Sequence, residues 1–146
     1  MKTQRFVVAL FLLAACRLIV ASDAAVLSDL RELRWQFRVV IIDKPEQTDS
    51  VLELLSANAD ALADRRVMFF VLHDHDHNHD AAVSSNFPGS LASGLAENIR
   101  QQWLLDGGAV LLIGLDGGVK ARAENFDLES LFALIDAMPM RRSEQG

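Results

Sequence analysis

Cysteine is nearly absent from this 146-residue chain: Cys16 stands alone. A lone cysteine cannot close an internal disulfide. Because it falls in a segment that reads as a leader, cleavage removes the thiol or lipidation blocks it, and no cysteine nucleophile remains. A basic stripe is also missing. With 14 basic against 20 acidic residues the net charge is −6, and an acidic chain repels phosphate backbones, which argues against a nucleic-acid partner. No Pro/Ser/Gly-rich linker and no internal repeat divides the sequence, so residues 25–146 read as one domain large enough to bury a core.

The front of the chain carries a compartment signal. Lys2 and Arg5 precede an apolar run from Phe6 to Ala15. That run is shorter than the roughly 20 residues a membrane-spanning helix needs, so it reads as a signal peptide. Residues 1–24 form the leader if cleavage follows Ser22-Asp23-Ala24. Alternatively, Leu13-Ala14-Ala15-Cys16 has the form of a bacterial lipobox, which would leave residues 1–15 as leader and Cys16 as a lipidated first residue. The apolar Leu18-Ile19-Val20-Ala21 is a poor tether for a lipid anchor and favours the ordinary site. The expectation is export to a bacterial periplasm or the exterior, with membrane contact only through a lipid anchor or an uncleaved signal, and with an envelope protein or small ligand as partner.

Beyond the leader, apolar runs alternate with amphipathic stretches. Leu27 to Arg34 reads as a helical lead-in. Phe37 to Ile42, Val67 to Leu72 and Ala109 to Leu115 are apolar without polar alternation, the pattern of strands covered on both faces. Asp49 through about Ala63 places Val51, Leu52, Leu55, Ala59 and Leu62 on one helical stripe with Asp49 as cap, and strand-helix-strand of this length implies a right-handed parallel crossover. Leu91, Leu95, Ile99 and Trp103 mark a second helix after the turn chemistry of Asn86-Phe-Pro-Gly89. Asp116-Gly117-Gly118 turns the third strand into an outward-alternating edge strand, Val119 to Glu124. A last helix capped by Asp127 carries Leu128, Leu131, Phe132, Ile135 and Met138 and stops at Pro139. Trp35, Phe37 and Trp103 fall in apolar phase and are assigned to the core. The order β-α-β-α-β-β-α predicts an α/β, thioredoxin-like fold with a mixed four-stranded sheet.

Several of these segments carry a resemblance. Leu33-Arg34-Trp35, Leu112-Ile113-Gly114, Asp116-Gly117-Gly118-Val119-Lys120 and Ile135-Asp-Ala-Met-Pro-Met-Arg-Arg142 together resemble the family known as domain of unknown function 4174, over roughly Leu27 to Glu144. The resemblance implies a secreted thioredoxin-like domain of unassigned activity, found alone in bacteria and within extracellular-matrix-type proteins in animals. Leu115 departs from it, since a Lys is expected before Asp-Gly.

Thiol enzymes of such a fold set their cysteine where the first strand meets its helix, because a helix N-terminus lowers the thiol pKa. Here that junction is Asp43-Lys-Pro-Glu-Gln-Thr48, without cysteine, and Leu105-Asp-Gly-Gly108 lacks the proline such enzymes place opposite. Thr48 has no sequence-adjacent histidine to act as base, so helix capping is its expected role. Catalytic residues are therefore expected to be absent. The conspicuous chemistry is His73-Asp-His-Asp-His-Asn-His-Asp80, which holds all four histidines. In an extended chain His73, His75, His77 and His79 share one face, with Asp74 and Asp76 on the other. Imidazoles at this spacing suit zinc, copper or nickel, with the carboxylates as further candidate ligands. The tract starts where the second strand ends, where open α/β sheets gather ligands, and this predicts that His73 lies near Asp43. Arg141 and Arg142 are assigned to the carbonyl end of the last helix rather than to an anion. The reading is an exported domain that binds without redox chemistry, the alternative a metal-binding or metal-buffering protein.

Overall fold

The computed structural model describes residues 25–73, 83–105 and 107–146. The three apolar runs form the middle of its main sheet: β2 (Arg38–Asp43), β3 (Val67–Leu72) and β6 (Ala109–Ile113), buried along their whole length. Such runs must be covered twice, because successive side chains point to opposite faces. Val39, Ile41, Met68, Phe70, Leu111 and Ile113 pack on one side with α3 (Leu95–Trp103). Val40, Ile42, Phe69, Val71, Val110 and Leu112 pack on the other with α1 (Thr48–Ala57), α2 (Ala59–Asp64) and α4 (Leu128–Asp136).

β2 and β3 are parallel, with Arg38 opposite Val67 and Ile42 opposite Val71. β6 runs antiparallel to β2, and β7 (Val119–Ala123) lies antiparallel to β6 as the exposed edge. The connecting turn is closed by Gly117 N–H to the Gly114 carbonyl and by Gly114 N–H to the Gly118 carbonyl. Gly117 sits at φ +78, while Gly118 is not in the left-handed region.

The expected four strands are five. β4 (Val83–Ser85) adds antiparallel to β3 at the opposite edge, which gives the order β4-β3-β2-β6-β7. Three half-buried residues, two of them serines, offer no period to read, and the pairing is set by the neighbouring strand. Asn86 extends it with its side chain, which accepts from Phe69 N–H at 2.9 Å and donates to the Val67 carbonyl at 3.0 Å. A second, two-stranded parallel sheet joins β1 (Val26–Leu27) to β5 (Ser90–Leu91), so Leu91 belongs to a strand and not to the helix after it.

The long helix expected to run to Ala63 breaks at Asn58, whose side-chain amide donates to the Leu54 carbonyl at 2.8 Å and competes with continuation. It starts at Thr48; Asp49 lies in the first turn and does not cap it. Asp127 caps α4 as expected, accepting from Ser130 N–H. Pro139 does more than stop that helix: it opens a further one, α5 (Pro139–Glu144), at the position where its missing N–H is harmless. Trp35 is not core. It has φ +67 and is 57% exposed, whereas Phe37 and Trp103 pack partly buried against the α3-side core. No helix among the described residues is long and apolar enough to cross a membrane.

Candidate functional site

The carboxyl ends of the two parallel strands meet at one guanidinium. Asp43, the last residue of β2, is 1% exposed. Its Oδ1 accepts from Arg100 Nη2 of α3 at 3.2 Å, and the same nitrogen donates to the His73 carbonyl at 2.9 Å. Asp43 and His73 are thus brought together as expected, through an arginine whose place in its helix gives no sign of this role. The Asp43 carbonyl accepts from Gly108 N–H at 2.7 Å, which locks the start of β6 onto the same point. Asp43 Oδ2 is buried without a hydrogen-bond partner among the described residues. A buried ion pair of this kind fixes geometry more than it stabilises, since desolvation offsets most of the attraction.

Lys44 is the next residue, itself almost buried. Its ammonium donates to the Glu124 carbonyl at 2.6 Å and lies 3.4 Å from the Glu46 carboxylate. Glu46 is held below the usual carboxylate range, first by its own backbone N–H and then by Lys44. Thr48 is the first residue of α1 and is buried, but the preceding Gln47 occupies the cap position. The junction therefore offers a carboxylate, an ammonium and a helix N-terminus, with no thiol in the sequence from Asp43 to Thr48.

His73 turns its ring toward β4, with Nε2 2.7 Å from Ser84 Oγ. His75, His77, His79, Asp74 and Asp76 lie outside the described residues, as do Cys16 and the rest of the expected leader. Among the described residues no three His, Cys, Asp or Glu side chains converge as a metal site would require.

The two arginines near the end of the chain divide. Arg142 donates to the Ala137 carbonyl at 2.7 Å, the helix-end role expected of both. Arg141 is 5% exposed and crosses to another element: Nη1 donates to the Asp64 carbonyl, Nη2 pairs with the Asp64 carboxylate and Nε reaches Asp136. Burial is the largest single influence and works against its charge, yet the hydrogen bonds and charges of Asp64 and Asp136 together outweigh it and raise its pKa. Arg38, fully buried at the start of β2, donates to the Arg65 carbonyl and pairs with Glu144. These guanidiniums are committed to holding α5 against the sheet.

The chain belongs to the family described as domain of unknown function (DUF4174), whose model matches residues 29–144. No curated protein matched the sequence. Among solved structures, the crystal structure of the reduced 2-Cys peroxiredoxin of Plasmodium vivax is similar at 18% identity with a TM-score of 0.57, covering 80% of this chain and 72% of that one. A likeness at this identity establishes the thioredoxin-like fold and nothing finer.

Proposed function

We propose that this DUF4174 member is an exported thioredoxin-like domain that acts by binding, without thiol chemistry. The observation that carries the reading is the junction after β2. Where a helix N-terminus would activate a cysteine, Asp43 is ion-paired to Arg100 and Lys44 is bonded to the Glu124 carbonyl. The similar peroxiredoxin is named for two cysteines; this chain has one, Cys16, which precedes the family match. Export rests on the Lys2/Arg5 and Phe6-to-Ala15 pattern. The test is insulin reduction and peroxide consumption by the purified mature chain, with its N-terminus read by mass spectrometry. Turnover that survives removal of contaminating redox proteins overturns the binding role, and an unprocessed chain recovered from the cytoplasmic fraction overturns export.

A second reading, transition-metal binding through the histidine tract, is favoured by how the sheet brackets that tract. Leu72 and Val83 are register partners in the β3–β4 pair, so both ends of the connection are fixed, which lowers the entropy lost on closing around an ion. With Nε2 of His73 engaged by Ser84, Nδ1 is the nitrogen left to coordinate, and a ligand oriented through its other nitrogen is the ordinary arrangement at metal centres.

A further inference from the structure

A cleft opens on the α3 side of the sheet, away from the Asp43 junction. It holds about 410 Å³, within the range of small-molecule sites. Its wall is mixed: Leu30, Phe37, Val39, Trp103 and Ile113 supply an apolar side, and Gln102 with the glycines of the β6–β7 turn a polar one. Its rim carries three charged side chains, Arg31, Arg34 and Asp116, and two of them are already neutralised. Arg31 pairs with Asp29 at 2.5 Å. Asp116 accepts from Lys120 Nζ at 2.6 Å and from Gly118 N–H at 3.0 Å, and the Lys120 bond, with the Gly118 bond second, holds its carboxyl below the usual range.

Arg34 is different. Its guanidinium lies 5.2 Å from the centroid of the Trp35 ring and has no carboxylate partner among the described residues. In a chain of net charge −6, a cation without a carboxylate partner at the mouth of a cleft with one apolar side is placed to meet an amphipathic anion. Its placement is set against one distant segment, the β6–β7 turn. Trp35 N–H donates to the Leu115 carbonyl at 2.7 Å, and the Arg34 stem lies alongside Gly117, where an added Cβ would make an ordinary contact with Arg34 Cδ at 3.4 Å. Trp35 adopts φ +67 at this point, a conformation costly for a bulky residue and concentrated at binding sites. The indole is exposed and lies beneath the guanidinium.

We propose that this cleft binds a small monocarboxylic acid with a flat or chain-like apolar body, the carboxylate on Arg34 and the body against Phe37 and Trp103. One planar fork matches one carboxylate in charge and in geometry; a dianionic phosphate would leave a charge unmatched in an acidic chain. The inference deepens the binding role proposed above and rests on it.

The chain reports on its own cleft, because it contains two tryptophans, Trp35 and Trp103, and no tyrosine. Titration of the mature protein with phenylacetate and hexanoate, monitored by tryptophan fluorescence, should saturate, with affinity about tenfold above that for phenylacetamide and hexanamide. Arg34→Gln should abolish the preference for acid over amide, Arg34→Lys should keep part of it, and far-UV circular dichroism of both variants should match the parent, since Arg34 is exposed. Equal binding of acid and amide, an unchanged preference in Arg34→Gln, or no saturable response to either acid overturns the assignment. Tighter binding of a short peptide ending in a phenylalanine carboxylate overturns the small-molecule reading. None of these outcomes touches the thiol-free binding role, which fails only on peroxide or disulfide turnover.

Discussion

Arg141 donates from Nη1 to the backbone carbonyl of Asp64 at 2.7 Å, fastening the last helix of the chain to the turn that leads into β3. The contact spans 77 positions of sequence and lies beside a second tie, Arg65 to Asp136 at 2.7 Å. Arg65 also lies over the Phe132 ring, 4.3 Å from its centroid, so α4 and α5 are held to one turn by charge and by stacking together.

Replacing Arg141 with Leu should therefore lower stability by about 1–3 kcal/mol, because the part-buried Asp64 carbonyl and the Asp64 carboxylate lose their donor at once. Arg141→Lys should recover only part of the loss, since an ammonium cannot serve both groups as a fork does. Urea midpoints at constant slope measure the difference. A midpoint equal to the parent for the Leu variant would show that α5 is held by its apolar contacts alone.

Acid should loosen the same corner. The Arg65 hydrogen bond, with Arg141 adding to it, keeps the Asp136 carboxyl below its usual range against the opposing effect of burial. A folded pKa below the unfolded one gives stability that is complete above the unfolded value, about 3.9, and is lost as pH falls through the depressed value. Asp136→Asn should thus be less stable at neutral pH and show a shallower loss of stability below about pH 4. Parallel pH-stability curves for the two proteins would remove Asp136 from the explanation.

The sequence shows the middle of this fold better than its edges. β2, β3 and β6 are readable because strands buried on both faces are apolar throughout, and the helix between β2 and β3 makes their parallel pairing nearly obligatory. Local chemistry is readable too: Asp127 caps α4 and a glycine takes the strained turn position. β4 is not readable, because its pairing comes from β3 and from the Asn86 side chain rather than from any pattern of its own. Trp35 looks apolar and is not buried, since the chain must reverse there and the Leu115 carbonyl fixes its N–H. At the candidate site, the rule that ligands gather at strand ends is enough to bring His73 to Asp43. Nothing in a nine-residue helix marks Arg100 as the residue that joins them, for its role depends on where α3 docks.

At the β6–β7 turn the two glycines should behave differently. Gly117, at φ +78, needs the left-handed region, and Gly118 does not. Gly117→Val should cost roughly 1–3 kcal/mol. Gly118→Ala should be nearly silent, its added Cβ meeting Asp116 Oδ1 at 3.4 Å, an ordinary contact. Thermal melts of the two variants decide the matter, and equal losses would mean that the turn tolerates no side chain at all.

The histidine tract should bind copper or nickel more tightly than magnesium or calcium, because imidazole is a borderline nitrogen donor and the harder ions prefer oxygen cages. Ligating imidazoles must be neutral, so affinity should fall as pH drops below about 6.5. Replacing His73, His75, His77 and His79 with Ser should abolish binding. His73 carries a structural contact as well, its ring on Ser84 Oγ, so the variant with His75, His77 and His79 changed but His73 kept is the cleaner one. In the metal-free state that triple variant should melt with the parent. Its copper affinity should fall by more than about tenfold, since one anchored imidazole cannot replace a set of four. Calorimetry with copper on the parent, triple and quadruple variants separates the outcomes. Equal binding by all three would move the site elsewhere in the chain, and no binding by the parent would leave the tract without a metal role.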